Sequence, residues 1–158
     1  MWEASLVFLN EVKTKQVNTY EERFNFLGFE IRMCKSQRTG KHYAHVQPSK
    51  KAIQKIKDQV TFQTRRGRTL MPLDRMVNEV NATVRGWVGY FHFRNCRKTL
   101  LHVRGHVEQR LRTHLSKRHK VRNRKAGYAR FGNRNLYMKY GLQKVPTSAG
   151  WTKAHALQ

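Results

Sequence analysis

The sequence predicts an α+β fold that is mostly α-helical, with a short N-terminal β-hairpin, a three-helix bundle and a basic, partly irregular C-terminal tail. Three observations lead to this class. Apolar and polar residues alternate between positions 23 and 33, apolar residues recur at helical spacing in three stretches after Pro48, and positions beyond 121 show no clean period. The corresponding segments are residues 1–47, 48–121 and 122–158.

The hairpin is predicted from strand signals on either side of a turn signal. The first strand is rich in aromatic and β-branched side chains, and its alternation places Phe29, Ile31 and Met33 on one face. A Thr-Gly pair at 39–40 marks a turn, and residues 42–46 return as the second strand. Because an isolated hairpin is only marginally stable, we expect it to rest on the helices or on a larger sheet.

Each of the three predicted helices has an apolar stripe, and the first two also have a start signal. Ser49 is a suitable N-cap for the first helix, Pro72 suits the first turn of the second, and the third runs from about Cys96 to His119. The stripes consist of Ile53, Ile56 and Val60; of Leu73, Met76, Val77, Val80, Val84, Trp87, Val88 and Phe91; and of Leu100, Val103, Val107, Leu111 and Leu115.

Positive charge is concentrated in the second part of the chain. The 158 residues include 33 Lys and Arg against 9 Asp and Glu, a formal net charge of +24. Residues 1–47 carry seven basic and five acidic residues, hence +2, which leaves +22 for residues 48–158. The stretch from Arg110 to Arg134 has ten basic residues and no acidic one. Since a solvated helix face normally mixes both signs, this stretch indicates a polyanionic partner such as RNA or DNA.

The sequence argues against membrane insertion, a metal site and a self-contained polymerase. No apolar run approaches the roughly 20 residues of a spanning helix, and we expect no signal peptide. Asp58 and Asp74 lie on different predicted helices, whereas two-metal phosphoryl transfer needs clustered carboxylates. Cys34, His42 and His45 fit no standard zinc spacing. The two cysteines form no CxxC pair, which suits a reducing cytoplasm.

Histidines and aromatic residues lie among the basic positions and are candidates for RNA contact. Trp87 and Phe91 lie in the apolar stripe and are expected in the core, whereas Tyr90, just beside it, is open to RNA. Gly86, inside the helix, is expected to permit close approach of another helix. The histidines of the third helix, His102, His106, His114 and His119, are interpreted as exposed or as donors to phosphate. An aromatic surface for RNA is suggested by Tyr128, Phe131 and Tyr137.

Two motifs give the sequence a resemblance to a known family. One is Phe26-Leu27-Gly28-Phe29, and the other is Asn81 followed by Arg85-Gly86-Trp87 and Tyr90-Phe91. Together they resemble the C-terminal part of group II intron-encoded reverse transcriptase/maturases, over roughly residues 10–145. The resemblance implies that the first motif is the last palm element, and that the helices after Pro48 are the thumb, or maturase-specific domain X.

The departures from this family are as informative as the match. Residues 11–14 resemble the end of the preceding palm element, with an additional valine between the glutamate and the lysine. The Tyr-x-Asp-Asp catalytic motif and the His-Asn-His nuclease domain of the family are absent from the sequence. The resemblance therefore implies a fragment, from a truncated or a split gene, that keeps the RNA-binding half and has no catalytic residues.

The function implied is binding of group II intron RNA, which promotes RNA folding and splicing while the ribozyme performs the chemistry. We expect intron RNA as partner, with DNA or a separate fingers-palm polypeptide as further partners, and neither a membrane nor a small-molecule substrate. No cofactor is expected for this chain, since Mg²⁺ would come with the RNA or the missing palm. The expected location is a cytoplasmic ribonucleoprotein. The predicted RNA-binding residues are Lys51, Lys55, Arg65, Arg66, Arg68, Arg85, Tyr90, Arg112, Lys117, Arg118, Lys120, Arg122, Arg124, Lys125, Arg130 and Arg134.

Two alternatives share the same charge pattern. The chain could be the thumb subunit of a split reverse transcriptase, or a generic basic bundle that binds nucleic acid. The generic bundle does not account for the Phe-Leu-Gly-Phe strand motif. If residues 1–47 lack their parent sheet, the exposed hairpin edge predicts poor solubility or self-association.

Overall fold

A computed structural model of the chain describes residue 18 and residues 22–148, and it confirms the α+β, mostly helical fold class. Residues 11–14, which resemble a palm element, lie outside the described residues. Within the described part a small sheet precedes the helices. The elements are β1 (Phe24–Phe26), β2 (Phe29–Lys35), β3 (His42–Pro48), α1 (Lys50–Gln63), a 3₁₀ turn (Arg66–Arg68), α2 (Leu73–Phe91), α3 (Arg97–Arg118), α4 (Arg124–Arg130) and α5 (Asn133–Met138).

The sheet has three antiparallel strands in the order β1-β2-β3. The single strand predicted over residues 23–33 is two strands, because the chain reverses at Leu27 and Gly28 and pairs Phe26 with Phe29. Both turn residues have positive φ, 48° and 83°, as a two-residue type I′ hairpin requires. Leucine is unusual at the first position of such a turn. The sequence pattern therefore predicts one continuous strand and does not reveal the turn. The predicted hairpin partner, β3, pairs with β2 along its full length.

The three long helices begin and end within a few residues of their predicted positions. The Ser49 hydroxyl accepts a hydrogen bond from the Ala52 N–H at 3.2 Å, so Ser49 is the N-cap of α1. Pro72 precedes α2, and Cys96 and His119 flank α3. Helix α1 packs against both α2 and α3. The core that they share contains Ile56, Val60, Met76, Val77, Val80, Val84, Leu100, Val103, Val107, Leu111 and Leu115.

The residues after 121 add two short helices to the same core. The Asn123 side chain caps α4 by accepting a hydrogen bond from the Ala126 N–H at 2.7 Å. Helices α4 and α5 have seven and six residues, too few turns to show a period in the sequence. Their apolar residues, and those of the segment that follows, join the core through Phe131, Leu136, Leu142 and Val145.

The described helices are short or polar relative to a membrane-spanning helix. Helix α3, with 22 residues, is the longest of the described helices. None of the helices between residues 22 and 148 combines the length and the apolar content that crossing a membrane requires.

Candidate nucleic-acid interface

A basic groove of about 540 Å³ lies between the second half of α3 and α4. We call it the α3–α4 groove. Its lining includes four cations, Arg112, Lys117, Arg122 and Arg124, and the ring of Tyr128. None of these cations is paired with a carboxylate among the described residues, because the ion pairs there use Glu30, Glu79 and Glu108. The groove is therefore a concentration of positive charge without an internal counterion.

The chain forms this groove by reversing direction after α3. Lys120 has a positive φ of 52°, and the Val121 N–H donates to the Ser116 carbonyl at 2.8 Å. The reversal sends α4 back along α3. Gly127 permits the close contact, because a Cβ at this position would lie 2.7 Å from the Ser116 hydroxyl oxygen.

Tyr128 lies in the groove between two guanidinium groups. Its ring centroid is 4.0 Å from the Arg112 guanidinium carbon and 5.6 Å from that of Arg124. The hydroxyl donates to the Gln109 side-chain carbonyl at 2.5 Å. A hydrogen bond with Arg124, followed by the charges of Arg112 and Arg124, lowers the pKa of Tyr128. The ring remains exposed, so it presents an aromatic surface beside the cations.

Arg112 is buried beneath this ring, with 4% of its surface exposed. Its Nε donates to the Phe131 carbonyl at 3.0 Å, its Nη1 donates to the Gln109 side chain at 3.1 Å, and its Nη2 donates to the Asn133 side chain. The guanidinium therefore ties α3 to the α4–α5 junction. This arrangement differs from the predicted phosphate contact, since the donors of Arg112 already have protein partners.

Two further predicted RNA-binding arginines also have internal partners. Arg118 Nη1 donates to the carbonyls of Thr69 and Met71, both at 2.7 Å. Arg68 Nη2 forms a 2.7 Å ion pair with Glu79. Both side chains secure the loop between α1 and α2.

The remaining predicted residues are exposed and fall into separate groups. Lys117, Arg122 and Arg124 share the α3–α4 groove, as described above. Arg65 and Arg66 lie in the α1–α2 loop, where the Arg65 guanidinium carbon is 4.3 Å from the centroid of the Phe62 ring. Lys51 and Lys55 line a different groove, between α1 and α2. The other exposed cations among the predicted residues, none of which lines the α3–α4 groove, are Arg85, Lys120, Lys125, Arg130 and Arg134.

The two motifs that carry the family resemblance contact one another in the fold. The Tyr90 hydroxyl donates to the Leu27 carbonyl at 2.9 Å. The Phe91 ring centroid lies 5.1 Å from that of Phe29. A Cβ at Gly28 would lie 3.1 Å from the edge of the Phe91 ring, so a larger residue would have to displace that ring. The aromatic half of the second motif therefore holds the sheet against the bundle.

The polar half of the second motif holds the C-terminal segment. The Asn81 side chain donates to the Gly141 carbonyl at 2.8 Å and accepts from the Gln143 N–H at 2.7 Å. Arg85 Nε donates to the Gln143 side chain at 3.1 Å. Both Asn81 and Arg85 thus have a structural role, although the Arg85 side chain remains exposed.

Gly86 does not fulfil the expected role of bringing two helices close together. No described atom lies within 4 Å of the position that a Cβ would occupy. The residue instead lines the groove between α1 and α2, beside Trp87 and Tyr90.

Two of the histidines are internal rather than available to phosphate. His106 Nε2 donates to the Lys57 carbonyl at 3.2 Å, and His114 Nδ1 donates to the Thr64 carbonyl at 3.2 Å. Burial, with smaller contributions from nearby cations, lowers the pKa of both side chains. Arg110 Nε donates to the Thr64 hydroxyl at 3.1 Å, so positions 106, 110 and 114 form a polar seam between α1 and α3. These three polar residues are spaced four positions apart in the sequence, and this spacing could have predicted that they share one face of α3.

Of the three aromatic residues expected at an RNA surface, only Tyr128 lies in the groove. Phe131 is a core residue with 1% exposure. Tyr137 donates to the Glu108 carboxylate, to which Arg104 Nε also donates at 2.7 Å. Burial and the hydrogen bond with Glu108 raise the pKa of Tyr137 to about 12. Tyr137 therefore fastens α5 to α3.

The three hairpin residues that could suggest a zinc site, Cys34, His42 and His45, lie on β2 and β3. Cys34 and His42 lie near the turn end of the β2–β3 pair, and His45 pairs with Arg32. Over the described part of the chain, no group of three His, Cys, Asp or Glu residues is placed to hold a metal ion.

The sequence that forms this groove matches a known protein family. The family model described as "Group II intron, maturase-specific domain" matches residues 53–132, about half of the chain. The matched range begins in α1 and ends just after α4, so it includes the α3–α4 groove. No curated protein matches the chain. The chain therefore belongs to the group II intron maturase-specific domain family.

Proposed function

We propose that this domain binds folded group II intron RNA and promotes its folding and splicing, with the α3–α4 groove as a principal phosphate-binding site. One observation carries the proposal: Lys117, Arg122 and Arg124 line one groove with no carboxylate partner in the described part of the chain. Cations held this close repel one another, and a polyanion relieves that repulsion. Membership of the maturase family supports intron RNA as that polyanion.

The proposal gives the cations two roles. The exposed residues Lys117, Arg122 and Arg124 contact phosphates and release the counterions condensed on the RNA. The internal residues Arg68, Arg112 and Arg118 have no such contact and instead fix the surface that carries the others. By neutralising phosphates on adjacent RNA helices, the domain favours their close packing. The ribozyme supplies the chemistry, and Mg²⁺ comes with the RNA.

The proposal is tested by comparing two RNAs of equal length, a structured intron domain and an arbitrary hairpin. We expect tighter binding of the intron domain at about 0.15 M salt, because fixed contacts read the shape of the folded RNA. The logarithm of affinity should fall with the logarithm of salt by about 0.7 to 0.9 per phosphate contact. Equal affinities for the two RNAs would leave only a generic basic protein.

We also propose a second function, as the thumb of a polymerase assembled with a separate fingers-palm polypeptide. The favouring observation is the exposed apolar β1–β2 turn, in which Phe26 and Leu27 are 59% and 68% exposed. Primer extension by the isolated chain should be nil and should appear on mixing with such a polypeptide. Failure of the two chains to associate would dispose of this second proposal.

A further inference from the structure

A second groove, of about 610 Å³, lies between α1, α2 and the β1–β2 turn. We call it the α1–α2 groove. It shares no lining residue with the α3–α4 groove. Its lining combines the aromatic side chains of Trp87, Tyr90 and Phe91 with two exposed lysines, Lys51 and Lys55. The lining contains no acidic residue. The groove therefore suits a ligand with an apolar, planar part and a negative charge beside it.

The aromatic side chains of this groove are held in place from behind. Trp87 Nε1 donates to the Ala52 carbonyl at 3.3 Å, and the Tyr90 hydroxyl donates to the Leu27 carbonyl at 2.9 Å. The Trp87 ring centroid lies 4.8 Å from that of Phe91, and the Tyr90 centroid lies 4.7 Å from it. These contacts fix the rings before any ligand arrives. Tyr90 remains 53% exposed, so its ring offers a free surface.

The space beside these rings exists because residue 86 has no side chain. Glycine is unfavourable in the interior of a helix, so packing or function usually explains its presence. Packing does not explain Gly86, because no described atom lies within 4 Å of a Cβ built on it. A side chain at this position would instead enter the groove that Gly86 lines.

The two lysines stand one helical turn apart on α1, at positions i and i+4, and lie on the same side of the helix. Consecutive phosphates of an extended strand can reach such a pair while the base between them turns toward the aromatic rings. Stacking on an aromatic ring tolerates any base, because every base has a π-face. Gln59, which also lines the groove, adds an amide for a base edge.

We propose that the α1–α2 groove binds an unpaired nucleobase of single-stranded RNA, stacked against Tyr90 and Trp87, with the flanking phosphates at Lys51 and Lys55. The proposal rests on the proposed RNA-binding function and adds a second site of different chemistry. The α3–α4 groove takes phosphate charge, which any RNA offers. The α1–α2 groove selects RNA in which a base is free to leave the stack.

The test uses a substitution that places a side chain in the groove and removes no existing side-chain contact. Gly86→Leu introduces a good helix former into open space, and Gly89→Leu is the matched control, since Gly89 is equally open on the same helix but lines neither groove. Binding is measured with an oligouridine of about 12 nucleotides and with an RNA duplex of the same length. We expect Gly86→Leu to weaken oligouridine binding by about tenfold and duplex binding by less than twofold. Gly89→Leu should change neither affinity.

A second measurement locates the base. Oligouridine carrying a central 5-iodouridine is irradiated on the full chain, and cross-linked residues are identified by mass spectrometry. We expect cross-links at Tyr90 or Trp87 in the wild type and in Gly89→Leu, and their loss in Gly86→Leu. Circular dichroism should show that both variants melt at or above the wild-type temperature, because each gains a better helix former.

The outcomes separate this inference from the function on which it rests. If Gly86→Leu binds oligouridine as tightly as Gly89→Leu, the base site is wrong, and an apolar peptide becomes the candidate occupant of the groove. Equal weakening of oligouridine and duplex by Gly86→Leu also overturns the base site, because the groove then has no preference for free bases. If the wild-type chain binds neither RNA, the proposed function itself fails and the base site falls with it.

Discussion

Arg112 shows how a cation in a basic stretch can serve the protein rather than the RNA. Its guanidinium links α3 to Phe131 and Asn133 and lies against the Tyr128 ring. Buried hydrogen bonds that involve a charged group contribute about 1.5 to 3 kcal/mol each, and their loss leaves buried acceptors without partners. The α3–α4 groove therefore depends on a residue that lies beneath its surface.

We predict that Arg112→Met lowers the free energy of unfolding by about 2 to 4 kcal/mol, because it removes these hydrogen bonds from a buried site. Urea unfolding followed by circular dichroism measures the change. Lys125→Met is the matched control, since Lys125 is exposed on α4, and it should shift stability by less than about 0.5 kcal/mol. Equal stability of the two variants would contradict the structural role of Arg112.

The basic character of this region is evident from the sequence, but which of its cations are buried and which are exposed is not. Arg112 follows Leu111, a stripe residue, so it stands at the edge of the buried face of α3. Lys117 lies on the same helix and is exposed. Charge alone does not separate the two residues, because the burial of Arg112 depends on α4 and α5, whose positions the sequence pattern did not reveal.

Gly28 illustrates a residue that both conformation and packing require. Its φ is 83°, and the Phe91 ring leaves only 3.1 Å for a Cβ. Gly40 also has a positive φ, 67°, but no described atom lies within 4 Å of a Cβ there. Both glycines share a positive φ, but only Gly28 contacts Phe91 of α2. Comparing substitutions at the two positions therefore distinguishes the effect of backbone strain from the effect of that contact.

We predict that Gly28→Ala lowers the free energy of unfolding by about 2 to 3 kcal/mol and Gly40→Ala by about 1 kcal/mol. The difference arises from the Phe91 ring, which must move in the first variant alone. Thermal unfolding of both variants measures it. Equal losses of stability would mean that the β1–β2 turn does not pack tightly on α2.

The polar seam between α1 and α3 makes the stability of the folded chain depend on pH. The ordinary histidine pKa is about 6.5, and His106 and His114 have lower values in the folded chain. Lys57 and Arg110 face His106, whereas Arg68, Arg110 and Arg118 face His114, so protonation also meets positive charge. Between the two pKa values, the unfolded chain binds more protons than the folded one, and stability rises with pH.

We predict that the free energy of unfolding is fully retained above pH about 6.5 and decreases as the pH falls below that value. Urea unfolding at a series of pH values measures the slope. The double variant His106→Gln/His114→Gln should show a shallower slope, with a remainder from His119, whose pKa is also lowered. A slope that the double variant leaves unchanged would contradict the seam.

The predictability of each element follows from its local signals. Helices α1, α2 and α3 carry apolar stripes, α1 also has the Ser49 cap, and Pro72 precedes α2, so their approximate bounds could be read from the sequence. The β1–β2 turn could not, because its first residue is Leu27 rather than the Asn or Asp typical of such turns. Helices α4 and α5 are stabilised by burial of Phe131 and Leu136 rather than by a visible period.

The described part of the chain joins a small antiparallel sheet to a strongly basic helical bundle. Of the net charge of +24, nearly all follows Pro48, and no acidic residue follows Glu108 in the sequence. The fold gathers part of this charge in the α3–α4 groove and places Lys51 and Lys55 in the separate α1–α2 groove. The composition predicted a polyanionic partner, but only the fold separates exposed cations from those that hold the structure.

The most direct test of the phosphate-binding role removes the exposed cations of the α3–α4 groove. The variant Lys117→Gln/Arg122→Gln/Arg124→Gln is compared with Arg97→Gln/Lys98→Gln/Lys144→Gln, which removes the same charge from exposed positions that line neither groove. Affinity for a structured intron domain is measured across a range of salt concentrations. We predict that the groove variant loses preference for the intron domain and that its salt slope decreases by about 2 to 3, while the control keeps both. Equal losses in the two triple variants would contradict a phosphate site in this groove.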